Sequence, residues 1–227
     1  MASSELEKRF GQSDPELAHY AYDVFRPEDE TLAQTRQSAE SRGLPTISLD
    51  PFEARHLEIF VRLMNAKKAV EIGTLGGYSG IAIARGMGFG GKLHTFDLHP
   101  HHAEVARQAF ERANLVASVV VHAGPALENL PRIAHEAPFD LVFIEADKAN
   151  YPRYLSWATD HLRVGGAIIA DNTFAYGKIH RAYALDGSDL KEVNALREFN
   201  HIVATSGRFR STILPTEQGM TVAIKLQ

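Results

Sequence analysis

The chain has no cysteine among its 227 residues. That absence rules out disulfides, thiolate metal sites and a cysteine nucleophile, and it agrees with a reducing compartment. Long apolar runs are missing too. No segment approaches the roughly 18 uninterrupted apolar residues of a membrane span, and Met1–Arg9 has no apolar core of leader length. Basic charge is not in excess: 24 Lys and Arg stand against 28 Asp and Glu, a net charge of −4, with no run of Lys or Arg beyond an ordinary solvated helix face. Repeats, low-complexity tracts and interdomain linkers are also absent. These gaps predict one soluble, cytoplasmic domain spanning 1–227, with no nucleic acid and no membrane among its partners. The 44% hydrophobic content is enough to bury a full core.

What is present is an alternation. Asp14-Pro15 predicts a helix running to about Phe25, and a second begins near Pro27 and stops at Gly43. Pro45 keeps Leu44–Leu49 extended. Asp50-Pro51 then opens a third helix, with Phe52, Leu57, Phe60, Val61 and Met64 on its buried stripe. From Lys68 onward, strands at 69–72, 92–97, 118–122, 139–144 and 167–170 alternate with helices at 77–85, 103–114, 125–134 and 151–162. A helix at 191–204 precedes two more strands, 208–214 and 220–226, joined by a connection short enough for antiparallel neighbours. The pattern predicts an α/β fold: a mostly parallel seven-stranded sheet ending in an antiparallel hairpin, with helices on both faces.

The stretch Val70-Glu71-Ile72-Gly73-Thr74-Leu75-Gly76-Gly77-Tyr78-Ser79-Gly80 reads as a strand, a tight loop and a helix start. Its glycines allow positive φ and close approach of a ligand, and the first helical turn offers free N–H groups. The spacing is not the G-x-G-x-x-G of a dinucleotide site. A carboxylate two residues before the first glycine suits a ligand bearing an ammonium or sulfonium group, and S-adenosylmethionine (SAM) bears both.

In an open α/β sheet, ligands bind beyond the carboxyl ends of the strands. The residues there are Glu71 with its glycines, Asp97, Gly124-Pro125-Ala126, Glu145-Ala146-Asp147-Lys148 and Asp171-Asn172. Asp97 can accept the two hydroxyls of a ribose, and a small residue such as Ala126 leaves room for an adenine ring. Glu145, Asp171 and Asn172 supply oxygen ligands of the kind Mg²⁺, Ca²⁺ or Mn²⁺ takes. Strand-end carboxylates also serve as caps and loop acceptors, so residue types alone leave both readings open. The 11 histidines are mostly scattered singly; His99, His101 and His102 beside Pro100 read as a loop or helix start rather than a metal set.

Taken together, Val70–Thr74 with Gly77-Tyr78-Ser79, Asp97, Gly124-Pro125-Ala126, Phe139–Tyr151 and Gly165-Gly166 through Thr173 resemble the cation-dependent catechol / caffeoyl-CoA O-methyltransferase family, from about Asp50 to the C-terminus. The resemblance implies a Rossmann-like SAM methyltransferase fold and methyl transfer to a vicinal aromatic diol. It puts Glu71, Gly73, Thr74, Gly77, Tyr78, Ser79, Asp97, Leu98, Gly124, Pro125, Ala126, Glu145 and Tyr154 on cofactor positions. It also implies Glu145, Asp171 and Asn172 as ligands of a divalent cation, Lys148 as the base, and a homodimer. Two features depart from the family pattern: Glu145 stands where aspartate is usual, and the loop after Asn172 lacks a tryptophan found in many relatives. Residues 1–49, with Tyr20, Tyr22, Phe25 and Ile47–Leu49, are candidates to cover the acceptor. A metal-independent methyltransferase and a non-catalytic SAM or nucleoside-binding module are the competing readings.

Overall fold

The predicted alternation is realised in the computed structural model of the chain, which describes residues 14–181 and 184–227. Met1–Arg9, read above for a leader, lies outside the described residues. The strands are β1 (Lys68–Ile72), β2 (Lys92–Asp97), β3 (Val119–Ala123), β4 (Phe139–Ile144), β5 (Leu162–Ala170), β6 (Phe209–Leu214) and β7 (Met220–Lys225). They form one seven-stranded sheet in the order β3-β2-β1-β4-β5-β7-β6. The first five run parallel, and β7 is antiparallel to both β5 and β6. The helices are α1 (Pro15–Phe25), α2 (Glu30–Ser41), α3 (Pro51–Leu63), α4 (Tyr78–Met87), α5 (Pro100–Arg112), α6 (Ala126–Ile133), α7 (Tyr151–His161) and α8 (Gly187–Thr205). None of the described helices is long and apolar enough to cross a membrane.

Period-2 alternation sends successive apolar residues of a central strand to opposite faces. In β4, Leu141 and Phe143 join a core with Leu57 and Val61 of α3, Ile81 of α4 and Phe110 of α5. Val142 and Ile144 join the other core, with Leu130 of α6, Leu155 of α7 and Phe199 of α8. An uninterrupted apolar run in the sequence is therefore a strand covered on both sides.

The chain winds outward through β1, β2 and β3, then returns to lay β4 on the other side of β1. The resulting topological switch point opens a crevice at the carboxyl ends of β1 and β4. Hydrogen bonding continues one residue past the strand ends there. The N–H of Gly73 donates to Phe96 O (2.8 Å), Gly124 to Asp97 O (2.9 Å), Glu145 to Ile72 O (2.8 Å) and Asp171 to Ile144 O (3.1 Å). The residues that begin the crevice loops are thus held by the sheet itself.

The N-terminal helices are fastened to this rim. Asp50 caps α3 by accepting from Phe52 N–H (2.8 Å), and Glu53 accepts from Asp50 N–H (3.3 Å), a capping box worth about 1 kcal/mol. The Tyr22 hydroxyl donates to Asp50 (2.7 Å). Glu28 accepts from the Tyr78 hydroxyl (2.8 Å) and pairs with Arg36 (2.6 Å), linking the start of α2 to the glycine loop.

One strand starts earlier than the sequence suggests. Glycines at 165 and 166 argue against strand, yet β5 begins at Leu162 because Arg163–Gly166 is taken up by a register shift against β4, where Phe139 pairs with Leu162 and Leu141 with Ala167.

Candidate active site

Gly73 turns the chain at the end of β1 with φ +100°, and Gly77 opens α4 with φ +89°, a region that glycine enters without strain. Gly73 also lies directly on β4: a Cβ there would come within 2.6 Å of the Glu145 carbonyl carbon, with the carbonyl oxygen nearer still. Only a glycine allows the two loops to touch. That contact sets Glu145 against the loop.

Asp97, at the end of β2, braces the same loop. Its Oδ2 accepts from Leu75 N–H (2.8 Å) and Thr74 N–H (3.3 Å), and its Oδ1 from His99 N–H (2.9 Å), with His102 Nδ1 also 3.1 Å from Oδ1. Its carboxylate faces a cavity of about 580 Å³ whose wall also includes Gly73, Leu98, Pro125, Ala126, Glu145, Lys148 and Tyr154. Tyr154 points its hydroxyl at Asp147 (2.6 Å).

The remaining cofactor candidates divide. Thr74, Tyr78 and Ser79 line a small adjoining recess of about 60 Å³ that also reaches Gly73 and Glu145. Glu71, Gly77 and Gly124 line neither space. Glu71 is wholly buried, and its oxygens accept from the hydroxyls of Ser79 (2.6 Å) and Thr95 (2.5 Å). Burial above all pushes its carboxyl up to about 7, Asp97 adding to the rise while the two hydroxyls oppose it. Glu71, expected to face a ligand cation, accepts here from two hydroxyls and so ties the first turn of α4 to β2.

Lys148 is 7% exposed. Its Nζ lies 3.1 Å and 3.3 Å from the two Glu145 oxygens and donates to the Tyr151 hydroxyl (2.9 Å). That hydroxyl, itself buried, donates to Asp171 O (2.9 Å). A short 3₁₀ turn, Lys148–Asn150, followed by α7 places lysine and tyrosine three residues apart on one side.

A second cavity of about 210 Å³ adjoins the first, and Glu145 and Tyr176 line both. Asp171, Asn172, Asp50 and Glu53 face it, under the cover of Thr46–Leu49. Of the N-terminal candidates, Ile47–Leu49 line this cavity and Tyr20, Tyr22 and Phe25 do not. Asp171 is 2% exposed, and its Oδ1 has no hydrogen-bond partner. Burial first, then the charges of Glu145 and Glu53, hold its carboxyl well above the usual range. Burial likewise pushes Glu53 up to about 7. An orphaned carboxylate oxygen among like charges fits a bound cation. Asn172 adds an amide whose Nδ2 donates to Asp171 Oδ2 (3.1 Å). No group of three or more His, Cys, Asp or Glu side chains that could hold a metal is gathered among the described residues; the candidate set is two carboxylates and an amide.

The O-methyltransferase family model matches residues 21–226. The chain belongs to the O-methyltransferase family. It is 36% identical over 199 residues to the catechol O-methyltransferase of Niastella koreensis, covering 86% of this chain and 88% of that protein. To the catechol O-methyltransferase of Mycobacterium tuberculosis it is 41% identical over 165 residues, 73% and 74% of the two chains. The solved O-methyltransferase from Bacillus cereus in complex with SAH shares 34% identity and superposes with a TM-score of 0.86 over 97% of this chain and 99% of that one. The protein is thus a SAM-dependent O-methyltransferase, and the non-catalytic alternative gives way.

Two residues of this enzyme's site escaped the sequence reading. Glu53 had a signal, the D-P-F-E spacing of a capping box, but a cap does not announce that the same carboxylate also faces a cavity. His102 was grouped with neighbouring histidines, and only the turn of α5 shows that its ring comes to 3.1 Å from Asp97, where His99 reaches the same oxygen through its main-chain N–H.

Proposed function

We propose that this O-methyltransferase methylates one hydroxyl of a vicinal aromatic diol, assisted by a divalent cation. The observation that carries the reading is Lys148, a buried amine at the wall of the larger cavity and beside the carboxylates of the smaller one. The relatives' description as catechol O-methyltransferases supports the diol.

In this reading the larger cavity takes the donor. Asp97 receives the ribose hydroxyls, Leu98, Pro125 and Ala126 flank the adenine, and the Gly73–Ser79 loop takes the methionine end. Tyr154 fixes Asp147 at the edge of the same space. The acceptor lies toward Asp171 and Asn172 under Ile47–Leu49. Lys148 accepts the proton of the attacking hydroxyl as the new O–CH₃ bond forms and the S–CH₃ bond breaks, its electron pair staying on sulfur. Glu145 and Tyr151 then hold the protonated Nζ. Glu145, Asp171 and Asn172 would hold the cation, Mg²⁺ first with Ca²⁺ or Mn²⁺ as alternatives of similar oxygen preference, and such an ion supplies Lewis acidity toward the diol oxygens.

A second reading, transfer without metal, draws on Glu145 already lying within reach of Lys148. Labelled SAM and a panel of catechols, with added Mg²⁺ or with a chelator, separate the two. The metal-assisted reading expects label transfer to fall at least tenfold in chelator and to return with Mg²⁺; undiminished transfer leaves the metal-free reading.

The same proposal includes a homodimer. Leu17, Tyr20, Val24 and Phe25 leave an apolar face of α1 open. Sedimentation at micromolar concentration that shows monomer alone would remove it.

A further inference from the structure

We propose that Glu53 sorts acceptors by charge, so that the preferred substrate is an aromatic diol whose side chain ends in a protonated amine. The inference rests on the diol reading given above and adds the substituent that the diol carries. The smaller cavity is lined by the carboxylates of Asp50, Glu53, Glu145, Asp171 and Glu217, and among the described residues no Lys, Arg or His side chain lines it. The reaction as read above uses two of these charges. Glu145 and Asp171 are assigned to the cation, and Lys148 lies 3.1 Å from Glu145. Glu217 is exposed, where water and salt screen it.

Asp50 and Glu53 are left, each 7% exposed. Asp50 is engaged within the fold, its two oxygens accepting from Phe52 N–H (2.8 Å) and from the Tyr22 hydroxyl (2.7 Å). Glu53 accepts from Asp50 N–H at 3.3 Å, a long contact, and its charged neighbours Asp50 and Glu145 have its own sign. The capping box does not need this charge, because glutamine serves at the same position. Burying a carboxylate beside like charges is costly until a cation meets it, and an ammonium group on the acceptor is such a cation. An uncharged residue of the same wall makes the same demand. Gln218 also lines the cavity, and its Oε1 is buried without a hydrogen-bond partner. An ammonium brings three donors and no acceptor. A carboxylate in its place would add a further negative charge and offer that oxygen nothing.

The test compares three diols that differ only at the end of one chain: 2-(3,4-dihydroxyphenyl)ethylamine, its neutral counterpart 4-propylcatechol, and 3-(3,4-dihydroxyphenyl)propanoate. Methyl transfer from labelled SAM is measured at neutral pH with Mg²⁺, using the full-length wild type and Glu53→Gln, which keeps an acceptor for the cap. In the wild type, kcat/KM for the amine is expected to exceed that for the propyl compound at least tenfold, with the propanoate the poorest of the three. In Glu53→Gln the ratio of amine to propyl compound should fall about tenfold. Damage to the fold lowers all three rates together and leaves that ratio where it was, so a collapse of the ratio is a result that a merely structural role does not give. Equal wild-type values for the amine and the propyl compound, or a preference for the propanoate, overturn the proposal without recourse to any variant, while the diol reading stands. A ratio unmoved in Glu53→Gln overturns it as well. If none of the three is methylated, the diol reading itself fails and the charge selection falls with it.

Discussion

Replacement of Lys148 by alanine is expected to lower kcat by about 10²- to 10⁴-fold while leaving SAH binding within a few-fold of wild type. The reason is local. The Nζ is buried and held from two directions, by Glu145 at 3.1 Å and by the Tyr151 hydroxyl at 2.9 Å, so it is a fixed amine rather than a mobile surface one. The imidazoles that line the same cavity, His99 and His102, lie at its Asp97 end and cannot substitute. Lys148→Arg is expected to rescue little, because a guanidinium keeps its proton at any workable pH. The measurement is kcat at saturating SAM and catechol, with calorimetric SAH affinity as the control. A kcat within tenfold of wild type would show that Lys148 is not the base.

Gly73→Ala should be the most damaging glycine-to-alanine change among the described residues. The position combines φ +100° with a Cβ path that runs into the Glu145 carbonyl, so the substitution must move the ends of both β1 and β4. Backbone strain of about 1–3 kcal/mol and overpacking of a further ~1–3 kcal/mol are the scales involved. Gly43 is the control: φ is +78° there, but nothing lies within 4 Å of an added Cβ. Gly43→Ala carries the conformational cost alone. Thermal unfolding should show Gly73→Ala melting several degrees below Gly43→Ala, and SAH titration should find binding lost in Gly73→Ala and kept in the other. Equal melting points and equal SAH affinities would mean that the loop contact has no consequence.

The fold was legible because its signals are periodic and local. The runs at 92–97 and 139–144 matched β2 and β4 to the residue, the first marked off by Gly90-Gly91 before it and Pro100 after it, the second a mostly apolar run following Pro138. β5 was read short, because a strand that absorbs glycines through a register shift has no local signature. At the site, position along the chain was legible and direction was not. A carboxylate at the end of β1 is plain in the sequence, but whether Glu71 faces ligand or hydroxyls depends on Thr95, 24 residues away on the neighbouring strand. Histidines that read as single turned out to be paired across strands for the same reason: His94 and His122 bring ring nitrogens to 2.9 Å, although 28 residues separate them. Burial chiefly holds both below their ordinary range, with His122 at about 4.

The main-chain bond from Glu145 to Ile72 gives this enzyme a way to vary without rebuilding. With the peptide tied to the sheet there, the length of the Glu145 side chain decides where its charge falls, and it lands beside an amine three residues further on. A change of side-chain length at this position thus redirects a formal charge while the surrounding scaffold keeps its shape.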